Sequence, residues 1–343
     1  MFKNIIILNT CLLVFSIMAI AETTGKSETE PKSNFVKILN SGESQKIVTF
    51  GTSLTKVGAW GYQLQAVLEQ QFPGKAKVVN GAQGGANSKW GCKALEEKVL
   101  IHKPDVVFIE FAINDAVAKR KVSVSQAREN LNDMVDRILK LNSACEIILM
   151  TMNVPVGHTG LMRPEIEAYY QMYRDVAAER TFQLIDHYVS WKKLLKEDPQ
   201  LYVNLVPDLI HPVYEGALKV ILPKLTEELG LKPGKPPLSQ NFPCWNYMFK
   251  SMDKLEKRDN HASKREFELF FEKNFKNQDV NKGGNLNSDE FIHDVLFQYF
   301  DADKDKEVTL VEYLKVYSLL FTKRDKNADS KLSAEEIFPS VKR

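Results

Sequence analysis

Short apolar runs alternate with longer amphipathic stretches through the first two thirds of the chain. Five of the short runs are rich in Val, Ile or Phe, the residue types enriched in strands. Unbroken apolar runs are typical of parallel strands, because helices cover both faces of a parallel sheet. The strands predicted from these runs are Lys46–Phe50, Lys77–Val79, Asp105–Phe111, Glu146–Thr151 and Phe182–Asp186.

The stretches between these strands space their apolar residues as amphipathic helices do. The predicted helices are Gly61–Gln70, Ser123–Leu141, Arg163–Glu179 and a closing helix from about Glu215 to Leu229. Strands that alternate with helices are the pattern of a parallel sheet covered by helices. The sequence therefore predicts an α/β domain over residues 41–235.

A proline-rich stretch, LKPGKPPLSQNFP (residues 231–243), ends this pattern. Clustered Pro and Gly mark a boundary, and we predict a linker over residues 236–248. A second domain, residues 249–343, follows, in which Phe-rich helical stretches alternate with acidic loops. The loop starts Asp279, Asp301 and Asp325 recur at nearly regular spacing, which indicates an internal repeat.

The N-terminus has the pattern of a secretory signal peptide. Lys3 precedes an apolar run from Ile5 to Ile20, and small residues stand at Ala19 and Ala21. The alternative is a retained membrane anchor, but the run is short for a spanning helix. We therefore predict a signal peptide over residues 1–21, a polar linker over residues 22–40, no membrane span in the mature chain, and a secreted or periplasmic location.

Composition narrows the class of protein. The chain has 343 residues, 44% of them hydrophobic, which favours a folded protein over a disordered one. A net charge of +2 argues against nucleic-acid binding. Outside the predicted signal lie Cys92, Cys145 and Cys244, which allow one disulfide at most and do not match a zinc pattern.

A serine follows the first predicted strand, in the stretch IVTFGTSLT, Ile47–Thr55. A serine hydroxyl becomes a useful nucleophile only when a base removes its proton and donors hold the resulting oxyanion. In open α/β sheets such chemistry gathers beyond the carboxyl ends of the strands, where Ser53 falls. Taken alone, Gly-Thr-Ser is also an ordinary turn whose serine caps a helix.

Two later segments supply partners for Ser53. PDLIHP, just before the closing helix, places Asp208 and His211 three residues apart, so that the carboxylate can orient an imidazole that accepts the serine proton. FAINDA, after the third predicted strand, offers the neutral amide of Asn114 as an oxyanion donor. Each segment alone is also compatible with a surface turn.

Together, in this order, the segments resemble the sequence blocks of the SGNH hydrolases, the GDSL esterase/lipase family. TFGTSLT, NGAQGGAN, AIND and DLIHP match blocks of that family, and the similarity extends from Lys46 to Leu231. The resemblance implies a flavodoxin-like three-layer α/β fold with a parallel sheet. It implies Ser53, Asp208 and His211 as the catalytic triad, and Ser53, Gly85 and Asn114 as the oxyanion hole, with no cofactor for catalysis.

Two positions depart from the family pattern. The aspartate that precedes the serine in the family is Thr52 here, and the glycine that opens the third block is Ala112. Neither position supplies a catalytic group, so we expect altered packing of the loops and not a loss of activity.

The acidic repeats resemble EF-hand calcium-binding loops. Such loops need oxygen ligands at positions 1, 3, 5, 9 and 12, a backbone carbonyl at position 7 and a glycine at position 6. The resemblance implies a small all-α EF-hand domain with structural calcium. The implied ligands are Asp279, Asn281, Asn287 and Glu290 in the first loop; Asp301, Asp303, Asp305, Glu307, Thr309 and Glu312 in the second; and Asp325, Asn327, Asp329, Lys331, Ser333 and Glu336 in the third.

Three features of the sequence modify the prediction of an EF-hand domain. Gly283 brings no side-chain oxygen at position 5 of the first loop, and Lys306 and Ser330 stand where glycine is preferred, so we expect modest affinity. The stretch Leu255–Phe267 resembles a degenerate hand that we do not expect to bind calcium. The short spacing of the loops leaves room for one helix between neighbours, such as Tyr313–Lys323, so neighbouring hands share helices.

These observations predict a secreted serine esterase that acts through an acyl-serine intermediate. We favour a carbohydrate O-acetyl esterase acting on a small-molecule or polysaccharide ester, because no long apolar stretch indicates a lipid-facing lid. The alternatives are a lipase or lysophospholipase, a thioesterase, or a catalytically idle protein whose EF-hand region binds a surface or a protein partner.

Overall fold

The computed structural model describes residues 32–236, 243–333 and 336. The predicted signal peptide, residues 1–21, lies outside the described residues. Among the helices of the described part, none has the length and apolar content needed to cross a bilayer.

The strands are β1 Gln45–Gly51, β2 Ala76–Asn80, β3 Val106–Glu110, β4 Glu146–Thr151, β5 Gln183–Asp186, β6 His261–Ser263 and β7 Lys331–Ser333. The helices of the first region are α1 Asn34–Asn40, α2 Ser53–Lys56, α3 Trp60–Gln71, α4 Ser88–Lys98, α5 Ala112–Asp115, α6 Val124–Leu141, α7 Gly157–Leu161, α8 Ile166–Arg180, α9 His187–Glu197, α10 Pro199–Leu205, α11 Tyr214–Gly216 and α12 Leu222–Leu229, with a π-helical turn Ala217–Ile221 joining the last two. The helices of the second region are α13 Pro243–Met252, α14 Lys264–Gln278, α15 Asp294–Phe300 and α16 Leu310–Arg324.

A five-stranded parallel sheet forms the centre of the first region, with strand order β2-β1-β3-β4-β5. Every residue of β3 is buried, as is nearly every residue of β1 and β4. Burial on both faces explains why these strands are continuous apolar runs. The prediction of an α/β domain with a parallel sheet is confirmed.

Helices cover both faces of this sheet. Phe50 is in register with Ile109, so Phe50 and Phe108 point to opposite faces. The Phe50 ring contacts Trp90 of α4, with ring centroids 5.6 Å apart, whereas the Phe108 ring contacts Trp60 of α3 at 5.9 Å. Helices α3 and α4 therefore lie on opposite faces, and the domain has three layers.

The predicted linker over residues 22–40 differs from the structure at its C-terminal end. Residues 34–40 form α1, whose Phe35 is buried with its ring edge-on to Phe108. Ser33 caps this helix, and the carboxylate of Glu146 accepts the backbone N–H groups of Asn34 and Phe35. The helix was not predicted because the segment is polar in composition, and the helix is stabilised by packing against the sheet.

The second region consists of helices joined by the acidic loops. Leu286 and Val308 form an antiparallel bridge, and Ala262 pairs with Leu332 between β6 and β7. The loops therefore lie side by side in two pairs, and the degenerate stretch 255–267 pairs with the last loop. Helix α16 runs between the second and third loops, as the spacing predicted. Helix α13 begins at Pro243, within the predicted linker over residues 236–248.

The two regions contact each other along α7. A Cβ atom on Gly157 would lie 2.6 Å from the Gln278 side chain, and one on Gly160 would lie 2.8 Å from Ile292. His293 Nε2 lies 3.3 Å from the carbonyl oxygen of Pro155. Gln278 and Ile292 flank the first acidic loop, so this loop is anchored directly on the α/β domain.

Candidate active site

Strand β1 ends at Gly51, and Ser53 is the first residue of the short helix α2. The cap of this helix is Thr52, whose Oγ1 accepts the backbone N–H of Leu54 at 3.2 Å. The serine is therefore not the capping residue, and its hydroxyl is free for another partner.

A buried carboxyl group lies beneath this turn. Glu110, the last residue of β3, is 2% exposed and accepts hydrogen bonds from the Thr52 N–H at 2.6 Å, the Thr52 hydroxyl at 3.0 Å and the Thr55 hydroxyl at 2.7 Å. Sequence reasoning did not identify Glu110. The available signal was a single acid at the end of an otherwise apolar strand.

Glu110 also explains the glycine before Thr52. A Cβ atom on Gly51 would lie 2.3 Å from Glu110 Oε1, so only glycine fits there. Burial raises the pKa of Glu110 to about 7, although the hydrogen bonds from Thr55 and Thr52 oppose the rise. The carboxyl group that the family pattern leads us to expect at position 52 is thus supplied from the neighbouring strand.

The side chains of Ser53, His211 and Asp208 form one hydrogen-bonded line. His211 Nε2 lies 2.9 Å from Ser53 Oγ, and His211 Nδ1 lies 2.6 Å from Asp208 Oδ2. Asp208 Oδ1 accepts the backbone N–H groups of Ile210 and His211 at 3.1 and 2.7 Å. In this geometry the three residues can act as a nucleophile, a base and a carboxylate that orients the base.

The electrostatics of this line favour a charged imidazole. Burial lowers the pKa of His211, but the Asp208 carboxylate outweighs burial, and the pKa lies above its usual value. Burial raises the pKa of Asp208, but the charge and hydrogen bonds of His211 hold it below the usual value of an aspartate. Asp208 therefore stays ionised when His211 takes a proton.

The turn that carries Asp208 and His211 has a strained backbone. Leu209 has a φ of 72°, in the left-handed region that disfavours a branched side chain. Its carbonyl oxygen accepts the Thr159 hydroxyl at 2.8 Å and the Val156 N–H at 3.1 Å, and Asn153 donates to the carbonyl of Ile210. The segment that includes α7 thus fixes the catalytic turn.

Gly85 and Asn114 line the same pocket as Ser53 and His211. Gly85 has a φ of 75°, which favours glycine, and a Cβ atom there would enter open space. Asn114 Nδ2 donates to the Ala86 carbonyl at 2.7 Å, which ties the two oxyanion candidates together. All five residues predicted for catalysis therefore meet at one edge of the sheet.

Two arginines of the pocket were not predicted as site residues. Arg163 lies ahead of α8, because Pro164 follows it and disfavours a helical conformation at the preceding residue. The predicted helix Arg163–Glu179 therefore begins three residues too early. The Arg163 guanidinium donates to the carbonyls of Ile113 and Thr159, both at 2.7 Å, and Arg120 donates to the carbonyl of Gly85 at 2.6 Å.

The pocket has a volume of about 460 Å³, within the usual range of small-molecule sites. Its lining residues are Ser53, Val57, Gly84, Gly85, Asn114, Arg120, Thr159, Met162, Arg163, Ile210 and His211. A nucleophile, a base and oxyanion donors in one pocket can carry out acyl transfer.

The first region of this chain is similar to known proteins. Residues 48–218 match the model of the GDSL-like Lipase/Acylhydrolase family. These residues form a GDSL-like acylhydrolase domain.

A curated arylesterase from Vibrio mimicus is 24% identical over 170 residues, which cover 45% of this chain and 78% of the arylesterase. A crystal structure of an acetylxylan esterase from Geobacillus stearothermophilus is similar at 23% identity, covering 55% of this chain and 96% of that chain with a TM-score of 0.48.

Membership of the GDSL-like family gives the activity class of the domain, which is hydrolysis of esters. Ala112 and Thr52, the two positions that depart from the family pattern, are both buried, but only Thr52 bonds to a carboxyl group among the described residues. Ala112, the first residue of α5, is 1% exposed. Thr52 pairs with Glu110, so the GDSL-like domain keeps a carboxyl group at the turn that carries Ser53.

Outside the GDSL-like domain, the acidic loops are the candidate metal sites. The carboxylate oxygens of Asp301, Asp303 and Asp305 lie within 4.8 Å of one another. Asp301 Oδ1 is buried and has no hydrogen-bond partner among the described residues. Such an oxygen is suited to coordinate a cation. The donor set of carboxylates therefore fits a hard cation such as calcium.

The three loops share one backbone conformation. The residues at position 6 are Gly284, Lys306 and Ser330, with φ values of 89°, 72° and 63°. The left-handed strain expected at Lys306 and Ser330 is therefore present. The glutamate at position 12 of each loop bonds back to the same loop. Glu290, Glu312 and Glu336 accept the backbone N–H groups of positions 2 and 9.

Proposed function

We propose that this chain is a secreted serine esterase that releases acetyl groups from carbohydrates through an acyl-serine intermediate. The observation that carries the catalytic part is the continuous line from Ser53 Oγ through His211 to Asp208. Hydrolysis of esters follows from the family, whereas the nucleophile, the substrate and the location are inferences from this chain's residues.

In the proposed mechanism, His211 Nε2 removes the proton from Ser53 Oγ as the oxygen attacks the ester carbonyl. The Asp208 carboxylate stabilises the imidazolium that forms. The Ser53 N–H, the Gly85 N–H and the Asn114 amide donate to the oxyanion, and His211 then protonates the leaving alcohol. Water activated by His211 releases the acid and restores the serine.

The serine assignment is tested with a fluorophosphonate probe, which reacts only with an activated serine. We expect the probe to label the wild-type chain and Ser125→Ala, a control at an exposed serine of α6, but not Ser53→Ala. Ser53→Ala should also lose hydrolysis of p-nitrophenyl acetate. Labelling or turnover that survives in Ser53→Ala would refute the assignment. Absence of labelling in the wild type would favour the idle binding protein.

Support for a polar substrate comes from four residues of the pocket lining, whose side chains can hydrogen-bond to hydroxyl or anionic groups. Arg120, Arg163, Asn114 and Thr159 present charged or polar groups. Of the large hydrophobic side chains that are exposed among the described residues, only Met162 belongs to the pocket lining. A lipid-facing lid would require a larger exposed apolar surface at the mouth.

The substrate class is tested by comparing acetylated sugars with short-chain and long-chain acyl esters and with an acyl thioester. We expect the highest kcat/KM for the acetylated sugars, and Ser53→Ala corrects for spontaneous hydrolysis. A higher kcat/KM for long-chain esters would favour the lipase alternative, and one for the thioester would favour a thioesterase.

Secretion is supported by the signal-like pattern of residues 1–21. The test is to express the full chain with its N-terminus intact and to sequence the N-terminus of the exported protein. We expect it to begin at Glu22. Recovery of the uncleaved chain in the membrane fraction would favour a retained anchor.

We further propose that the acidic loops bind structural calcium. Support comes from the cluster at Asp301, Asp303 and Asp305, the unpaired Asp301 oxygen and the shared loop conformation. The second loop offers the most carboxylates, whereas the first has Gly283 at position 5 and is expected to bind more weakly. Calcium bound there would hold the loop pairs together and has no role in acyl transfer.

A further inference from the structure

Two guanidinium groups face the substrate pocket without a carboxylate partner in it. Arg120 and Arg163 both line the pocket, and no aspartate or glutamate is among the described residues of its lining. Among the described residues neither arginine forms an ion pair. Unpaired cations in a partly buried site are unusual, because loss of hydration is costly unless an opposite charge compensates.

Arg163 is held rigidly but keeps donors free. Its residue is 6% exposed, and its Nε, Nη1 and Nη2 atoms each donate once, to the carbonyls of Ile113 and Thr159 and to the Asn114 amide oxygen at 3.4 Å. A guanidinium has five N–H groups, so two remain uncommitted. Burial, with Arg120 nearby, lowers the pKa of Arg163 to about 10, which still leaves it charged near neutral pH.

Arg120 is less buried and more accessible to a ligand. Only one of its donors is committed, to the carbonyl of Gly85. Burial lowers its pKa, and the neighbouring Asp115 opposes this effect. Asp115 lies outside the pocket lining, accepts the Ser88 N–H at 2.8 Å, and has a pKa raised by burial to about 6. Asp115 therefore favours the charged form of Arg120, although no hydrogen bond joins the two side chains among the described residues.

The backbone fixes the two arginines relative to each other. The Ala118 N–H, at the start of the turn that ends with Arg120, donates to the carbonyl of Met162, the residue before Arg163, at 3.0 Å. Both side chains then reach the oxyanion candidates, Arg120 through Gly85 and Arg163 through Asn114. An anionic group bound between them would lie close to the ester that Ser53 attacks.

We propose that this arginine pair binds an anionic group, a carboxylate or a sulfate, on the alcohol part of the ester. Guanidinium groups suit both anions because their N–H groups form paired hydrogen bonds with planar or tetrahedral oxyanions. The inference rests on the proposed function, in which the acyl part is an acetyl group and cannot carry the charge. The substrate class is then an O-acetyl ester of an acidic sugar.

The test compares two acetyl esters that differ in one charge, 4-acetoxybenzoate and its methyl ester. We expect Arg120→Gln to lower the ratio of kcat/KM for the anionic ester over the neutral ester by about tenfold or more. Arg120→Lys keeps the charge but not the paired hydrogen bonds, so its ratio should fall between those of the wild type and Arg120→Gln. Lys119→Gln, which removes the same charge at an exposed neighbour outside the lining, should leave it unchanged.

A binding measurement separates this inference from the proposed chemistry. Calorimetry on Ser53→Ala should detect 4-acetoxybenzoate, and the added change Arg120→Gln should weaken binding by a similar factor. Hydrolysis of both esters with the same ratio in wild type and Arg120→Gln would overturn the arginine site and leave the esterase intact. Binding that depends on Arg120 without any hydrolysis would overturn the esterase and leave the anion site intact. A preference for mono-4-nitrophenyl succinate, which carries its charge on the acyl part, would refute the placement of the anion.

Discussion

Glu110 and Thr52 form the base of the nucleophile turn: one carboxyl oxygen accepts both the backbone N–H and the hydroxyl of Thr52, at 2.6 and 3.0 Å. The same carboxyl group excludes any side chain at position 51. The position of Ser53 therefore depends on an acid from the neighbouring strand β3.

Replacement of Glu110 by Gln should reduce the loss of stability at alkaline pH. Burial raises the pKa of Glu110 from 4.5 to about 7, so the folded state favours the protonated form. Its contribution to stability is complete below about pH 4.5 and is lost as pH rises through about 7. The loss should be on the order of 3 kcal/mol by pH 8 in the wild type and absent from Glu110→Gln.

Urea unfolding at pH 5 and pH 8 measures this difference. Asp115 has a pKa of about 6, so it also changes the stability between these two pH values. The free energy of unfolding lost between pH 5 and pH 8 is therefore compared between the wild type and Glu110→Gln. Glu96→Gln, an exposed change on α4, serves as the control and should behave as wild type. An equal loss of stability in wild type and Glu110→Gln would show that Glu110 does not titrate as described.

The change Thr52→Asp should be harmful alone and tolerated with Glu110→Gln. The Thr52 hydroxyl lies 3.0 Å from both carboxyl oxygens of Glu110, so an aspartate there would put two buried carboxyl groups in contact. We expect lower stability and lower esterase activity at pH 8. The double variant, Thr52→Asp with Glu110→Gln, has one carboxyl group and one amide in contact, and it should recover both stability and esterase activity. Purely additive effects in this double-mutant cycle would contradict direct coupling of the two positions.

Removal of the Asn114 amide should slow turnover by about 10² to 10³ in kcat, the usual effect of losing one oxyanion donor. Asn114→Ala should change KM much less, because the donor acts on charge that develops in the transition state. Steady-state kinetics on p-nitrophenyl acetate give both constants. Asn130→Ala removes a half-buried amide that bonds to Ser88 outside the pocket and should retain activity. A kcat near that of wild type in Asn114→Ala would remove this residue from the oxyanion hole.

Chelation of calcium should lower the melting temperature of the wild-type chain. At millimolar calcium, a loop of modest affinity contributes about 1 kcal/mol of stability. Glu312→Gln removes the closing ligand of the second loop and should reduce the effect of the chelator, whereas Glu268→Gln on α14, outside the loops, should not. A melting temperature that is the same with calcium and with chelator would refute structural calcium.

Much of the α/β domain could be predicted because its strands are buried on both faces. All five predicted strands are present, with ends within one residue, since a continuous apolar run has one physical explanation in a parallel sheet. The meeting of Ser53, Asn114, Asp208 and His211 at one edge of the sheet could be predicted, because each follows a strand or precedes a helix in a recognisable motif.

Glu110, Arg120 and Arg163 could not be assigned because their importance depends on long-range contacts. Glu110 acts on residues more than fifty positions earlier in the chain, and Arg163 donates to the carbonyl of Ile113 on another element. Helix α1 was missed for the same reason, because the buried Phe35 packs against Phe108, a residue of the sheet that is distant in the sequence. Local sequence patterns do not report such contacts.

The contact of α7 with the second region limits how the chain can be divided. Val156 and Thr159 hold the carbonyl of Leu209, between Asp208 and His211, while Gln278 and Ile292 pack against Gly157 and Gly160 of the same segment. An esterase fragment that ends at residue 236 would therefore lack the contacts of Gln278 and Ile292 with this segment. The smallest active unit of this protein should include both regions, although all the residues proposed for catalysis belong to the first.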